Sequence, residues 1–152
     1  NTFNHGPADL LFVLPLTGTN RNIPFHVARV LAAALLLMTL RHKLGGTEES
    51  VQLFTQLGSE TWSRFATFGG EPTGRYVVGI LELIAGVLLL VHRTAWFGGL
   101  MGMGLMFGAF IFHAFILGFD ALFVMALIVF FSSAYVVWHE RKKVINFVVE
   151  VF

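Results

Sequence analysis

Two ionisable residues, Glu82 and His113, lie inside long apolar stretches of the sequence. An ionised side chain at the centre of a bilayer costs about 2.5–3.5 kcal/mol on insertion scales, so each such residue indicates a function. A carboxyl group and an imidazole can exchange protons near neutral pH. Lys43 adds a cation at the end of an earlier apolar stretch. Together these residue types predict a polar pocket that binds a ligand or relays protons.

The composition places this candidate pocket in a membrane protein. Of the 152 residues, 56% are hydrophobic and 12% are charged, and the mean hydropathy is +0.76. Soluble domains average about 25% charged residues, twice the share found here. The net charge of +1 gives no basic footprint for nucleic acid. The chain has no cysteine, which excludes disulfides and Cys-ligated metals. The composition therefore excludes a soluble enzyme, a disordered chain and a nucleic-acid-binding protein.

Four apolar stretches are long enough, or nearly so, to cross a bilayer, which takes roughly 20 residues. We predict membrane-spanning helices at residues 23–40, 76–91, 95–117 and 121–138. The loops after the second and third helices are only a few residues long, so consecutive helices must be antiparallel neighbours. We therefore expect an all-α integral membrane protein, with residues 1–152 forming a single membrane domain that contains a four-helix up-down bundle.

The segments outside these helices have characters of their own. Residues 10–16 are apolar but too short to cross, and we expect them to lie in the interface or to pack on the protein. Residues 41–75 carry apolar stripes at helical spacing, which predicts an interfacial segment that covers the bundle or merely shields its own apolar residues. A basic run at residues 141–143 opens a tail over residues 139–152 and favours a cytoplasmic position for both termini.

Depth and helical phase both bring Glu82 and His113 together. At 1.5 Å per residue, Glu82 lies about 9 Å and His113 about 6 Å from the membrane face that carries residues 41–75. Each shares a helix face with small residues, which mark where a neighbouring helix approaches closely. These small residues are Gly79 and Gly86 beside Glu82, and Gly98, Gly102 and Ala109 beside His113. We expect both side chains to point into the bundle and to contact each other directly or through one water.

Lys43, Arg41 and Asp120 fall at the same membrane face and would extend this pair into a polar cluster. Two interpretations of the cluster stay open. A Glu–His contact could simply lock two helices together, although such bonds in membranes average only about 0.6 kcal/mol. A pocket for a ligand or for protons accounts better for the cost of inserting both groups. The histidines show no pairing at metal-ligand spacing, so we predict no metal site.

Several features of the sequence are typical of one family. They are Arg29 early and Lys43 late in the first span, the string GILELIAG at residues 79–86, a Gly-rich third span and His113 near its end. On these features, over about residues 26–140, the chain resembles the DoxX-like membrane proteins, which include the DoxD-type subunit of thiosulfate:quinone oxidoreductase. The resemblance implies a four-helix bundle and adds Arg29 to the candidate supporting residues.

The resemblance also implies a role linked to redox chemistry or quinones, beside partner proteins, in a bacterial or archaeal cell membrane. We therefore expect a membrane subunit of a redox system in which Glu82, His113 and Lys43 hold a quinone-like headgroup or a proton. The chain has no evident motif for a bound cofactor, so a protein partner would supply the electron carrier. The alternative is a structural or assembly subunit that packs against a larger membrane complex. Transport of protons or a solute is a third option.

Overall fold

The computed structural model describes residues 23–151, which form helices joined by short turns. In chain order the helices are α1 (Ile23–Gly45), α2 (Glu48–Ser59), α3 (Thr61–Ala66), α4 (Thr73–Leu90), α5 (Ala95–Phe112), α6 (Ala121–His139) and α7 (Arg141–Val151). A π-helical turn, His113–Leu117, continues α5. The predicted apolar segment at residues 10–16 lies outside the described residues.

Four of these helices, α1, α4, α5 with its π turn, and α6, are long and apolar enough to cross a membrane. The prediction of an all-α membrane protein with four spanning helices is therefore confirmed. The third spanning helix begins and ends where the sequence predicted, at residues 95 and 117. However, α1 continues to Gly45 instead of ending at residue 40, and α4 begins at Thr73 instead of at residue 76. Charged residues at these ends lower the hydropathy without interrupting the helix.

The four spanning helices pack as a closed ring in the order α1, α4, α5, α6, each against two main neighbours. Small side chains allow the helices to approach closely. Ala32 and Ala33 of α1 and Ala85 of α4 are fully buried. Such contacts replace the hydrophobic driving force, which is missing between helices that lie in lipid.

Helices α2 and α3 cover one end of this ring. Thr47 precedes α2, and Glu48 and Glu49 lie in its first turn. Their carboxylates are stabilised by the positive end of the helix dipole. Phe54 and Leu57 of α2 are buried. The Trp62 ring of α3 stacks on Phe112 at the end of α5, with 5.9 Å between ring centroids. The segment between α1 and α4, residues 46–72, therefore packs as a cover over the end of the bundle.

The predicted basic tail is itself helical over the described residues. Helix α7 begins with Arg141, and its Phe147 ring lies 5.2 Å from the ring of Trp96 near the start of α5. Because the four spans alternate in direction, the start of α1, the α4–α5 turn and the end of α6 meet at the end of the bundle opposite the cover.

Candidate functional site

The polar centre of the bundle is an ion pair between Lys43 of α1 and Glu82 of α4. The Lys43 ammonium donates to both carboxylate oxygens, with Nζ 2.8 Å from Oε1 and 2.6 Å from Oε2. The side chains of Lys43 and Glu82 are 18% and 5% exposed. A carboxylate at this depth is tolerated only with such a partner, because an unpaired buried charge is strongly destabilising.

Two further residues hold this ion pair, and the sequence reasoning missed both. The Thr39 hydroxyl lies 3.0 Å from Glu82 Oε2, one helical turn before Lys43. Arg75 is buried at the start of α4, where it donates to the Lys43 carbonyl and, from Nε, to Glu71 Oε2 at 2.7 Å. Their spacing in the sequence could have identified them. Thr39 and Lys43 are four residues apart, as are Glu71 and Arg75, and residues so spaced are neighbours on a helix.

The predicted direct contact between Glu82 and His113 is wrong, because among the described residues the two side chains have different hydrogen-bond partners. The alternative, a contact through one water, stays a prediction. The small-residue face of α4 packs against α1 instead of α5. A Cβ on Gly79 would meet Leu44 at 3.3 Å, and one on Gly86 would meet Leu37 at 3.1 Å. Glu82 shares this face and therefore contacts α1, where the Lys43 ammonium is a stronger partner for a carboxylate than a neutral imidazole.

His113 is held by the turn that ends α5. Its Nδ1 donates to the Gly118 carbonyl at 2.8 Å, and Asp120 Oδ1 lies 3.5 Å from the same nitrogen. Gly118 closes the turn with a φ of 81°, a conformation that favours glycine. Because Nδ1 carries the proton, Nε2 of the neutral ring carries the lone pair. Single π turns occur frequently at functional sites.

Glu82 and His113 are both only 4% exposed, so the prediction that both point into the bundle is confirmed. Both also border one cavity of about 250 Å³ beneath the cover. Every spanning helix contributes to its wall. On the side of the cover, α2 and the turn after α3 line it with Phe54, Leu57 and Phe68. Its polar lining residues are Thr39, Lys43, Thr67, Glu82 and His113, and the others are apolar or glycine.

The cavity wall offers complementary groups to a bound molecule. An ammonium group has three N–H donors, and the Glu82 oxygens account for two of those on Lys43. His113 brings an imidazole whose Nε2 can accept a hydrogen bond. A mainly apolar pocket with a few convergent polar groups is typical of small-molecule sites.

The three predicted supporting residues have different positions. Asp120 supports His113, and it also caps α6 by accepting from the Phe123 N–H at 3.0 Å. Arg41 is exposed and does not line the cavity. Arg29 lies at the opposite end of the bundle, where its Nη1 is 3.2 Å from His92 Nδ1. Its expected support of the site is wrong, because Arg29 and Lys43 stand roughly 21 Å apart along α1.

Comparisons of the chain with protein families, curated proteins and solved structures give no match. The site geometry is therefore the basis for a functional proposal.

Proposed function

We propose that the protein binds a small amphipathic molecule with a polar ring, a quinone in the first instance, as a DoxX-like subunit of a redox-linked membrane system. The observation that carries the proposal is the cavity beneath the cover, which has Lys43, Glu82 and His113 in a mainly apolar wall. Polar contacts that only hold two helices together would not require a cavity beside them.

The size and chemistry of the cavity suit a quinone headgroup. A dry cavity of about 150 Å³ holds benzene, and the cavity here is about 250 Å³. Lys43 can donate a hydrogen bond to a ring carbonyl, and His113 can accept one from the hydroxyl of the reduced ring. The apolar wall suits the ring faces.

The same residues can handle protons during reduction. A quinone that is reduced to a quinol takes up electrons and protons, and the electrons would come from a carrier in a protein partner. When its Nε2 is also protonated, His113 can pass that proton to a ring oxygen and then be reprotonated. The Lys43 ammonium donates a hydrogen bond to Glu82 at the same wall. In this scheme the chain binds the ring and supplies protons.

The second candidate function is the structural or assembly subunit. The contacts of Glu82 favour this function, because Lys43 and Thr39 of α1 both contact Glu82 of α4. That arrangement ties two helices together without any ligand. The two functions differ in whether removing the charges affects binding.

A paired substitution separates the two functions. In Glu82→Gln alone, Lys43 would be left without its carboxylate, so any loss of binding could reflect misfolding. The double variant K43M/E82L replaces both charges with apolar side chains, a change that is often neutral or stabilising for a buried pair. Arg41→Met is the matched control, because Arg41 is a cation on the same helix that does not line the cavity.

The protein and both variants are purified in detergent from the host membrane. Co-purifying quinone is extracted and identified by mass spectrometry, and a short-chain quinone is titrated against each sample. We expect the wild type and Arg41→Met to bind quinone, and folded K43M/E82L to lose at least about 90% of that binding, which corresponds to roughly 1.4 kcal/mol. Equal binding by wild type and double variant, or none by the wild type, would overturn the proposal.

A further inference from the structure

A second polar cluster, separate from the cavity, lies at the opposite end of the bundle. His26 stands at the start of α1, His92 follows α4, and His139 is the last residue of α6. All three rings contact the buried Phe25 ring, with centroids 5.4 Å, 5.9 Å and 4.6 Å away, respectively. Arg29 lies one turn further along α1 than Phe25, with its guanidinium 5.7 Å from that ring. We refer to His26, Arg29, His92 and His139 as the histidine–arginine cluster.

The contact between Arg29 and His92 determines which ring nitrogen of His92 carries the proton. A guanidinium can only donate, so His92 Nδ1, which lies 3.2 Å from Arg29 Nη1, must accept. The proton of the neutral His92 ring is therefore on Nε2, which makes this nitrogen a donor. The His26 ring centroid is 6.1 Å from that of His92. The Arg29 guanidinium and the Nε2–H of His92 therefore lie beside a second imidazole, that of His26.

The cluster carries a positive charge that the described residues do not balance. Within residues 23–151, no carboxylate lies at ion-pair distance from Arg29. Its Nε is buried and has no hydrogen-bond partner there. Glu140, the acidic residue next to His139, is paired with Lys143. The neighbouring Arg93 and Lys142 are exposed cations that add to the positive field.

Metal binding does not explain this arrangement, since no three acidic or histidine side chains among the described residues are placed to hold a metal ion. An anion would match both the excess charge and the donors. The start of α1 and the end of α6 are ends of helices that are long and apolar enough to cross a membrane, so we expect them at the level of the lipid headgroups. Basic pockets between spanning helices at a membrane face bind the phosphates of anionic lipids.

We propose that the histidine–arginine cluster binds a phosphate group, with an anionic phospholipid or free phosphate as its source. Arg29 supplies the permanent charge, His92 supplies an N–H donor at Nε2, and His26 is the neighbouring imidazole. Arg29 pairs with phosphate better than a lysine would, because its planar group can use two N–H donors at once. Arg29 lies roughly 21 Å from Lys43 along α1, so the site does not depend on what the cavity binds.

The test measures lipid retention by native mass spectrometry on the full protein in detergent. Wild-type protein is mixed with phosphatidylglycerol, with phosphatidylcholine or with inorganic phosphate alone. Arg29→Gln removes the charge, His92→Phe removes the donor while keeping a ring against Phe25, and Arg41→Gln is the control at the opposite end. We expect Arg29→Gln to weaken phosphatidylglycerol retention about fivefold, the effect of one basic side chain at an anionic surface, and Arg41→Gln to leave it unchanged.

The arms of the experiment identify the source of the phosphate. Selective retention of phosphatidylglycerol that inorganic phosphate does not displace indicates a lipid, whereas displacement by inorganic phosphate indicates the free ion; both support the site. Equal retention of the two lipids together with no phosphate binding overturns it. So does unchanged retention in folded Arg29→Gln. If Arg29→Gln does not fold, the same comparison is made with His92→Phe, and unchanged retention there overturns the proposal.

Discussion

The two halves of α5 contact their surroundings in different ways. In the first half, a Cβ on Gly98 would meet the backbone of α4, with Leu89 N at 2.6 Å and Ala85 O at 2.9 Å. A Cβ on Gly102 would meet the Ser133 hydroxyl of α6 at 2.8 Å. In the second half, a Cβ on Gly104 or Gly108 would meet nothing within 4 Å, and both glycines border the cavity. We call the tightly packed half of α5, which contains Gly98 and Gly102, the closed half. We call the half that borders the cavity, which contains Gly104 and Gly108, the open half.

This difference indicates how a small membrane bundle can hold both a stable core and a site. In lipid, helix association depends on close van der Waals packing and on hydrogen bonds. In the closed half, the close approach of the α4 backbone to Gly98 supplies the van der Waals packing. In the open half, the Lys43–Glu82 pair joins α1 to α4 and the cover closes the end. The ion pair thus replaces side-chain packing beside the cavity.

The largest effect should come from breaking that pair on one side. Lys43→Met leaves Glu82 buried without its cation, and losing one partner of a buried pair costs about 3–5 kcal/mol. We expect this loss in the free energy of unfolding, measured by denaturant titration in mixed micelles. Arg41→Met, at an exposed position, should change it by less than about 0.5 kcal/mol. Similar losses in the two variants would mean that the pair does not hold the open half together.

A smaller effect should come from the closed half. Gly98→Ala places a methyl group against the α4 backbone, which cannot rotate away as a side chain could, and overpacking of this kind costs about 1–3 kcal/mol. Gly104→Ala, on the same helix but facing open space, should instead stabilise by about 0.5–1 kcal/mol, because glycine is a poor helix former. The same micelle titration applies. If both alanine variants were stabilised alike, the closed and open halves would not differ in packing.

A third prediction concerns the space of the open half. Gly108→Leu adds a bulky group to the cavity lining where no neighbour stands in the way. We expect quinone affinity to fall about tenfold, or 1.4 kcal/mol, while the unfolding free energy does not fall. Equilibrium titration with a short-chain quinone measures the first quantity. Unchanged affinity in this variant would count against the cavity as the binding site.

The sequence predicted the bundle well because membrane crossing imposes few alternatives. About 20 apolar residues must form a helix in lipid, where every backbone polar group needs an internal partner. The errors were at the charged ends of α1 and α4, where hydropathy falls although the helix continues. Arg75 shows the reason, since its guanidinium is neutralised by Glu71 on the preceding turn. Hydropathy read residue by residue does not register such pairing.

The site was predicted less completely. Depth and helical phase placed Glu82 and His113 in the interior, because both quantities follow from the helical rise and repeat. They do not determine which neighbour a helix face meets. Glu82 lies on the face of α4 that packs on α1, so its partner is Lys43. The π turn that holds His113 depends on Gly118 and had no periodic signal in the sequence.

The smallest predicted effect concerns that turn. Asp120 caps α6 through the Phe123 N–H and lies near His113 Nδ1. Asp120→Ala removes the cap and should lower the free energy of unfolding by about 1 kcal/mol, whereas Asp120→Asn keeps a capping oxygen and should cost a few tenths of that. Micelle unfolding of both variants measures the difference. If the cap is the main role of Asp120, Asp120→Asn should also keep the quinone affinity of the wild type. A loss of affinity in folded Asp120→Asn would instead show that His113 needs the neighbouring negative charge.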